Sequence, residues 1–134
     1  MGNEGATGRA EMVVMAADTA VAWGSGDVPV LATPRVVALA EAATVAAVAA
    51  LPGLPVEPGR TTVGVRVELD HLAPTPVGAA VVAVARLTKV DGRRLRFVVE
   101  VHERRGAGTV PIATGRVDRV AVDRDRFLAR MAPS

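Results

Sequence analysis

The sequence predicts an α+β domain: an antiparallel sheet wrapped around one long buried helix. Three observations predict it. A segment from about Pro34 to Leu51 is apolar on nearly every side, with only Arg35, Glu41 and Thr44 as polar interruptions. Alternating strand patterns follow it, and an Asp91-Gly92 pair stands between two of them. A helix that is hydrophobic all round must be covered, and one helix followed by a meander of strands is an α+β pattern. A length of 134 residues predicts one domain over residues 1–134, and a composition half apolar and 22% charged is that of a globular chain. The aromatic residues are Trp23, Phe97 and Phe127. The core must therefore be built from Val, Ala and Leu, whose side chains each bury little area. Such a core gains from covering more surface with a second chain.

The elements follow in order. Met1 to Arg9 is Gly-rich and polar and is expected to be frayed or disordered. A first strand is expected at Glu11 to Met15, a short helical turn at Ala16 to Trp23, and a loop at Gly24-Ser25-Gly26-Asp27. Thr33-Pro34 reads as a helix start, with Thr at the N-cap and Pro at the first helical position. Pro52-Gly53 stops that helix. From Thr61 to His71 the chain alternates. Val63, Val65, Val67, Leu69 and His71 share one face, and Gly64, Arg66, Glu68 and Asp70 share the other. Leu72 to Gly78 connects to a second strand, Ala79 to Val90, and Asp91-Gly92 turns it into a third, Arg94 to Glu103. Leu95, Phe97, Val99 and Val101 form the third strand's apolar face. A last strand runs from Thr109 to Val122, with Pro111 near an edge and Gly115 at a bulge. Asp123 to Met131 reads as a short terminal helix. A sheet curled around a central helix is the hot-dog arrangement.

The net charge is only +2, yet the isoelectric point is about 10.3. With no Tyr, no Cys and one lysine among sixteen basic residues, almost nothing titrates between neutrality and the arginine range. The fifteen arginines are spread among acids without interleaved aromatics, which argues against nucleic acid as a partner. Absent cysteines exclude thiol catalysis and Cys-zinc sites, and two histidines make a multi-His metal site improbable. No metal and no separate cofactor is expected. Glu11 and Asp18 interrupt the N-terminal apolar run, so no signal peptide is read there. The longest apolar stretch, Val36 to Leu51, is shorter than the about 20 residues of a membrane span. A soluble, cytoplasmic protein without a membrane partner is expected.

Three residues could carry chemistry. Glu41 interrupts the apolar helix, either where the helix meets solvent or as a retained functional carboxylate, since an unpaired buried charge costs several kcal/mol. His71 ends a strand on its apolar face, either as a core-edge histidine or as a general base oriented by a carboxylate. Thr33 is either a plain N-cap or a hydroxyl at a helix N-terminus, where N–H groups await a carbonyl oxygen. Eight residues of helix, about 12 Å, separate Thr33 from Glu41. A site using both must span that distance or draw on a second subunit. His102 shares a face with Arg94, Arg96 and Glu100 and reads as solvated, without a role. Arg60, Arg93 and Arg94 read as surface arginines that could also meet phosphates.

These residues, in this order, resemble the fluoroacetyl-CoA thioesterase family of hot-dog proteins. The resemblance runs from Val30-Leu31-Ala32-Thr33 through Val36-Val37-Ala38-Leu39 to Glu41. It continues with Glu57-Pro58-Gly59, Thr62-Val63-Gly64, and His71-Leu72-Ala73-Pro74-Thr75-Pro76-Val77-Gly78. Val90-Asp91-Gly92-Arg93-Arg94-Leu95 and Arg119 extend it. It implies a homodimer, or a dimer of dimers, whose sheets join edge to edge, and hydrolysis of an acyl-CoA thioester by a Thr, Glu and His set at the subunit contact. By position these are Thr33, Glu41 and His71, with His71 as general base. Gly64 matches a backbone position close to the acyl group, and Arg119 matches an arginine near the site.

One stretch departs from the family. Where its fluoroacetyl-CoA enzyme carries lid phenylalanines, this chain has Gly24-Ser25-Gly26-Asp27, which points to a substrate other than fluoroacetyl-CoA. Coenzyme A enters as part of the substrate. The alternative function is a non-catalytic hot-dog module that binds acyl-CoA or another small apolar ligand. A hot-dog hydratase ranks last, because no histidine lies within the helix.

Overall fold

The computed structural model describes residues 4–51, 59–131 and 133. The expected helix stop at Pro52-Gly53 and the Glu57-Pro58 pair lie outside them. Strand β1 is Thr7–Val13 and a single 3-10 turn is Ala16–Asp18. Helix α1 is Ala20–Trp23 and the long helix α2 is Thr33–Ala49. Then come β2 (Arg60–His71), β3 (Ala80–Asp91), β4 (Arg94–Arg105) and β5 (Gly108–Asp123). Helix α3, Arg124–Ala129, closes the described fold. The strands form one antiparallel sheet in the order β1-β3-β4-β5-β2. The sheet wraps α2, and the hot-dog arrangement is the observed fold.

The core lies between α2 and the concave face of the sheet. Val36, Leu39, Ala40, Ala43, Ala47 and Val48 of α2 meet a layer that includes Val81, Leu87, Leu95, Phe97, Val99 and Val101. Alanines along α2 let the sheet approach closely. Gly8 of β1 is the extreme case: a Cβ there would collide with the backbone of Ala43 and Ala47. The first strand therefore starts earlier than the expected Glu11, and the supposedly frayed Thr7 to Arg9 belongs to it. Its small residues serve close packing against the helix.

Two other expectations shift for local reasons. Gly115 marks no bulge; it pairs in register with Leu69 and Val99. A Cβ at Gly115 would strike the Glu68 carbonyl, so the glycine permits close approach of β2. The bulge in β5 falls three residues earlier, at Ile112, between the pairs Val101–Ala113 and His102–Pro111. Pro111 itself sits beyond the last β2 pair, His71–Ala113, so its missing N–H breaks no β2 bond. Gly92, at φ 60°, takes the first central position of the β3–β4 hairpin, a conformation side chains resist. Asp123 caps α3 by accepting from the Arg126 amide at 2.9 Å.

The outer face of the sheet is closed by charge. The Asp118 carboxylate has no solvent exposure and is held by Arg94 (2.8 Å) and Arg96 (3.3 Å). Burial alone would raise its pKa, but the hydrogen bonds from Arg94 and Arg96 outweigh burial and hold it below the ordinary carboxylate value. His102 is less solvated than expected on this face. Its ring is half-buried, and Nδ1 has no hydrogen-bond partner among the described residues.

Candidate active site

The turn into α2 builds the first half of the site. Backbone bonds fix the entry: the Leu31 amide donates to Thr75 and the Ala32 amide to Asp18, each at 2.9 Å. The helix begins at Thr33, with Ala32 in the N-cap position. Thr33 is therefore inside the first turn and does not cap it. Its hydroxyl is engaged elsewhere: Thr33 Oγ1 lies 2.7 Å from His71 Nδ1. Pro34 has no N–H, and the amides of Arg35 and Val36 both donate to the Ala32 carbonyl. The Thr33 amide is the first-turn donor left without a backbone acceptor among the described residues.

His71 reaches Thr33 because it is the last residue of β2 and its side chain turns toward the helix. Its Nε2 is buried and without a partner among the described residues. Burial accordingly pushes the imidazole pKa below 6.5, and the Ala73 backbone opposes that shift. The ring is held neutral near pH 7. In the tautomer with the proton on Nε2, Nδ1 accepts from the Thr33 hydroxyl, which is the arrangement of a nucleophile and its base.

The pair opens on a cavity of about 340 Å³. Its walls come from the segment before α2 and the segment after β2, including Ala20, Ser25, Gly26, Val28 and Leu72. No aromatic residue lines it among the described residues. Ser25 and Gly26 belong to the stretch that the resemblance sets at the family's lid, and they line this cavity beside Thr33. Loop composition by itself carries no record of which strand end the loop will meet.

Glu41 stands apart from this pair. Two helical turns further along α2, its carboxylate faces Gly64 and lies 3.5 Å from Arg119 Nη1. Within one chain it pairs with this arginine, and the expected meeting with His71 does not occur there. Arg119 is 7% exposed. Its Nε donates to Thr62 Oγ1 at 2.9 Å and an Nη2 hydrogen goes to the Thr62 carbonyl at 3.2 Å. Burial lowers the guanidinium pKa, and the Glu41 charge opposes that. Thr62 is thus an anchor that the sequence reading missed.

Gly64 reaches the helix side because of a bulge. The pairing of β2 with β5 shifts register between Gly64 and Arg66. Strict alternation had placed Gly64 on the outer face with Arg66. The extra residue, Val65, reverses the phase, so Thr62 and Gly64 face α2 while Val65 is 48% exposed. Any Cβ at Gly64 would overlap the Glu41 carboxylate. The five residues singled out from the sequence therefore form two groups: Thr33 with His71, and Glu41 with Gly64 and Arg119.

The chain is similar to proteins of known kind. A family model described as FlK, fluoroacetyl-CoA-specific thioesterase, matches residues 14–125. The fluoroacetyl-CoA thioesterase of Streptantibioticus cattleyicolor is 34% identical over 102 residues, 76% of this chain and 68% of that protein. The crystal structure of a thioesterase superfamily member from Thermus thermophilus superposes with a TM-score of 0.83 at 33% identity, over 95% of this chain and 88% of that one. The fluoroacetyl-CoA thioesterase FlK gives a TM-score of 0.79 at 29% identity, over 97% of each chain. With the fold, the Thr33–His71 pair and the Glu41–Arg119 pair in place, the chain belongs to the fluoroacetyl-CoA-specific thioesterase family.

Proposed function

We propose that the chain hydrolyses an acyl-CoA thioester as a homodimer. The reacting carbonyl lies between Thr33 and His71 of one subunit and Glu41, Gly64 and Arg119 of the other. The observation that carries the reading is the 2.7 Å contact of Thr33 Oγ1 with His71 Nδ1 at the mouth of a 340 Å³ cavity. His71 takes the hydroxyl proton as Thr33 Oγ1 bonds to the acyl carbon. The C–S bond breaks, and the thiol leaves with the proton from His71. Water then attacks the acyl ester and loses a proton to the partner's Glu41; as the bond from the acyl carbon to Thr33 Oγ1 breaks, that proton passes to Oγ1, which releases the carboxylic acid and restores both Thr33 and Glu41. The Thr33 amide donates to the carbonyl oxygen as it gains charge.

The dimer supports this reading through the sheet edge. β2 is an edge strand, and its bulge leaves Val65 48% and Val67 36% exposed. Two copies of β2 pairing antiparallel about a twofold axis through Glu68, with Val67 opposite the partner's Leu69 and the bulged Val65 left unpaired, set His71 opposite the partner's Gly64. That register brings both half-sites together twice per dimer. It also covers the exposed valines, which the small-residue core favours. The cavity walls of Ala20, Ser25 and Gly26 leave room for an apolar acyl group bulkier than fluoroacetyl.

The test is thiol release from a panel of short, medium, branched and aromatic acyl-CoAs, with sedimentation of the same samples. Turnover by a dimer is expected, as is its loss when Val67→Pro blocks the β2 edge. Ligand binding without turnover, unchanged by Glu41→Gln, would identify a binding module instead.

A further inference from the structure

We propose that the ion pair of Asp18 with Arg35 holds Thr33 against His71. Neither side chain lines the cavity, so both act through Thr33 as positioning residues. The kinetic consequence rests on the thioester reading above, and the structural one rests on the start of α2 alone.

The first observation is how little fastens that start. The N-cap position is held by Ala32, whose side chain accepts no hydrogen bond, and no acidic residue stands in the first turn. Alanine is among the poorest N-caps. Pro34 brings no N–H, and the Arg35 and Val36 amides share one acceptor, the Ala32 carbonyl. The Thr33 hydroxyl is committed to His71 and does nothing for the helix. A helix end capped so sparsely frays. A reaction that uses the hydroxyl and amide of this turn needs the turn fixed.

The second observation is what replaces the cap. Arg35 Nε donates at 3.1 Å to Asp18 Oδ1, seventeen residues earlier in the chain. Asp18 is itself anchored. Its Oδ2 accepts from the Met15 amide at 2.8 Å, and its carbonyl accepts from the Ala32 amide at 2.9 Å. One residue therefore grips the chain on both sides of Thr33, Ala32 through its backbone and Arg35 through its carboxylate. The two side chains are 17% and 26% exposed, so water and salt screen them less than a surface pair. The carboxylate also offsets the Arg35 charge, which stands at the helix end where a cation is unfavourable.

The third observation is the tolerance of the contact being held. Thr33 Oγ1 lies 2.7 Å from His71 Nδ1, so a shift of about 1 Å takes it out of hydrogen-bond range. The fold does not depend on the ion pair to the same degree. The backbone bonds from Ala32 to Asp18, Leu31 to Thr75 and Ala20 to Val30 remain when either side chain is replaced.

The test compares Arg35→Met, Arg35→Lys, Asp18→Asn and the double variant Asp18→Asn, Arg35→Met with wild type. Methionine keeps the apolar stem and the helix propensity. The first readout is the ring-nitrogen NMR signal of His71 in ¹⁵N-labelled protein, with His102→Gln to assign it. Thr33→Ala supplies the signal of a ring that has lost the hydroxyl. Arg35→Met and Asp18→Asn should move the His71 Nδ1 signal toward that reference, while Arg35→Lys, which keeps the charge, stays near wild type. The second readout is kinetic. With a turned-over acyl-CoA, kcat should fall about tenfold or more in Arg35→Met, at near-constant KM and urea midpoint. The double variant should be no slower than the slower single variant, because both substitutions remove one bond. An unmoved His71 signal in Arg35→Met and Asp18→Asn would overturn the proposal whether or not turnover is found. So would a wild-type kcat in Arg35→Met, an equal loss in Arg35→Lys, or additive losses in the double variant. Signals that move as expected in a protein that hydrolyses no thioester would refute the catalytic reading and leave the positioning pair standing.

Discussion

Replacing Gly64 by alanine separates the site's chemistry from its stability. A Cβ at Gly64 overlaps only the Glu41 carboxylate, the far end of a flexible side chain. Gly64 does not have a positive φ, so the backbone accepts alanine without strain. The carboxylate is about a third exposed, and its pairing with Arg119 at 3.5 Å contributes at most about 1 kcal/mol. Losing a glycine from the unfolded chain offsets about 0.4–1 kcal/mol. The net change in unfolding free energy should stay within about 1 kcal/mol. Activity should respond very differently. The carboxylate must move by about 1 Å or more to clear the methyl group, and misplacement of that order costs about a hundredfold in rate. Urea denaturation and thiol release, measured on the same preparation, give both quantities. A variant as active as wild type would refute the placement of Glu41 at the reaction. A loss of more than about 3 kcal/mol would refute the claim that only a mobile side chain yields. Gly115→Ala is the control, because its Cβ would strike the Glu68 backbone and push β2 off β5. It should destabilise by about 1–3 kcal/mol or more, as overpacking does.

Further outcomes follow from the same geometry. His71→Ala should reduce kcat by about 10²–10⁴-fold, as loss of a general base does; a loss below tenfold would contradict that role. Because burial lowers the His71 pKa, the acidic limb of kcat/KM against pH should have its midpoint below 6.5. A midpoint near 7 or above would contradict a desolvated ring. The same shift means the unfolded state takes up this proton more readily, so stability falls as pH drops through about 6.5, and His71→Phe should flatten that dependence. Phe97→Ala empties the largest fully buried side-chain site and should cost about 3–5 kcal/mol in chemical denaturation. Asp118 has its pKa lowered, so its contribution is present at neutral pH and is lost as pH falls through the depressed value. Asp118→Asn should remove about 1–3 kcal/mol at pH 7 and reduce acid sensitivity.

The long helix and the strands were legible because their signals are periodic. A Val36 to Leu51 stretch apolar except for Glu41 and Thr44, and alternation in Leu95, Phe97, Val99 and Val101, report burial directly. What the periodic patterns missed were single insertions and close approaches. The β2 bulge reversed the facing of Gly64, and nothing in Thr62-Val63-Gly64-Val65-Arg66 announces which residue will be left unpaired. Gly8 and Gly115 looked like loosening residues, yet both occupy tight contacts made by chain distant in sequence. Thr33 was read correctly as a helix start and misplaced by one position. Thr-Pro satisfies local capping rules, while the hydroxyl's partner, His71, lies 38 residues away.

The division of the site into two groups has a geometric cause within α2. Thr33 opens the helix and Glu41 lies eight residues on, about 12 Å along its axis. Each is matched to a position on β2, His71 to Thr33 and Gly64 to Glu41. Those two positions are seven residues apart on the strand, about 23 Å when extended. No side-chain rotation within one subunit closes such gaps. An antiparallel twofold pairing of β2 does, because reversing the strand exchanges the two positions while keeping both helices on one side of the sheet. The mixing experiment follows directly. Thr33→Ala and Glu41→Gln subunits, each inactive as homodimers, should regain up to one working site per heterodimer when co-refolded. Their equal mixture, with half its dimers mixed, should recover about a quarter of wild-type activity. Complementation requires a shared site, so a mixture that stays inactive while exchanging subunits would place each complete site within one chain and refute the composite arrangement.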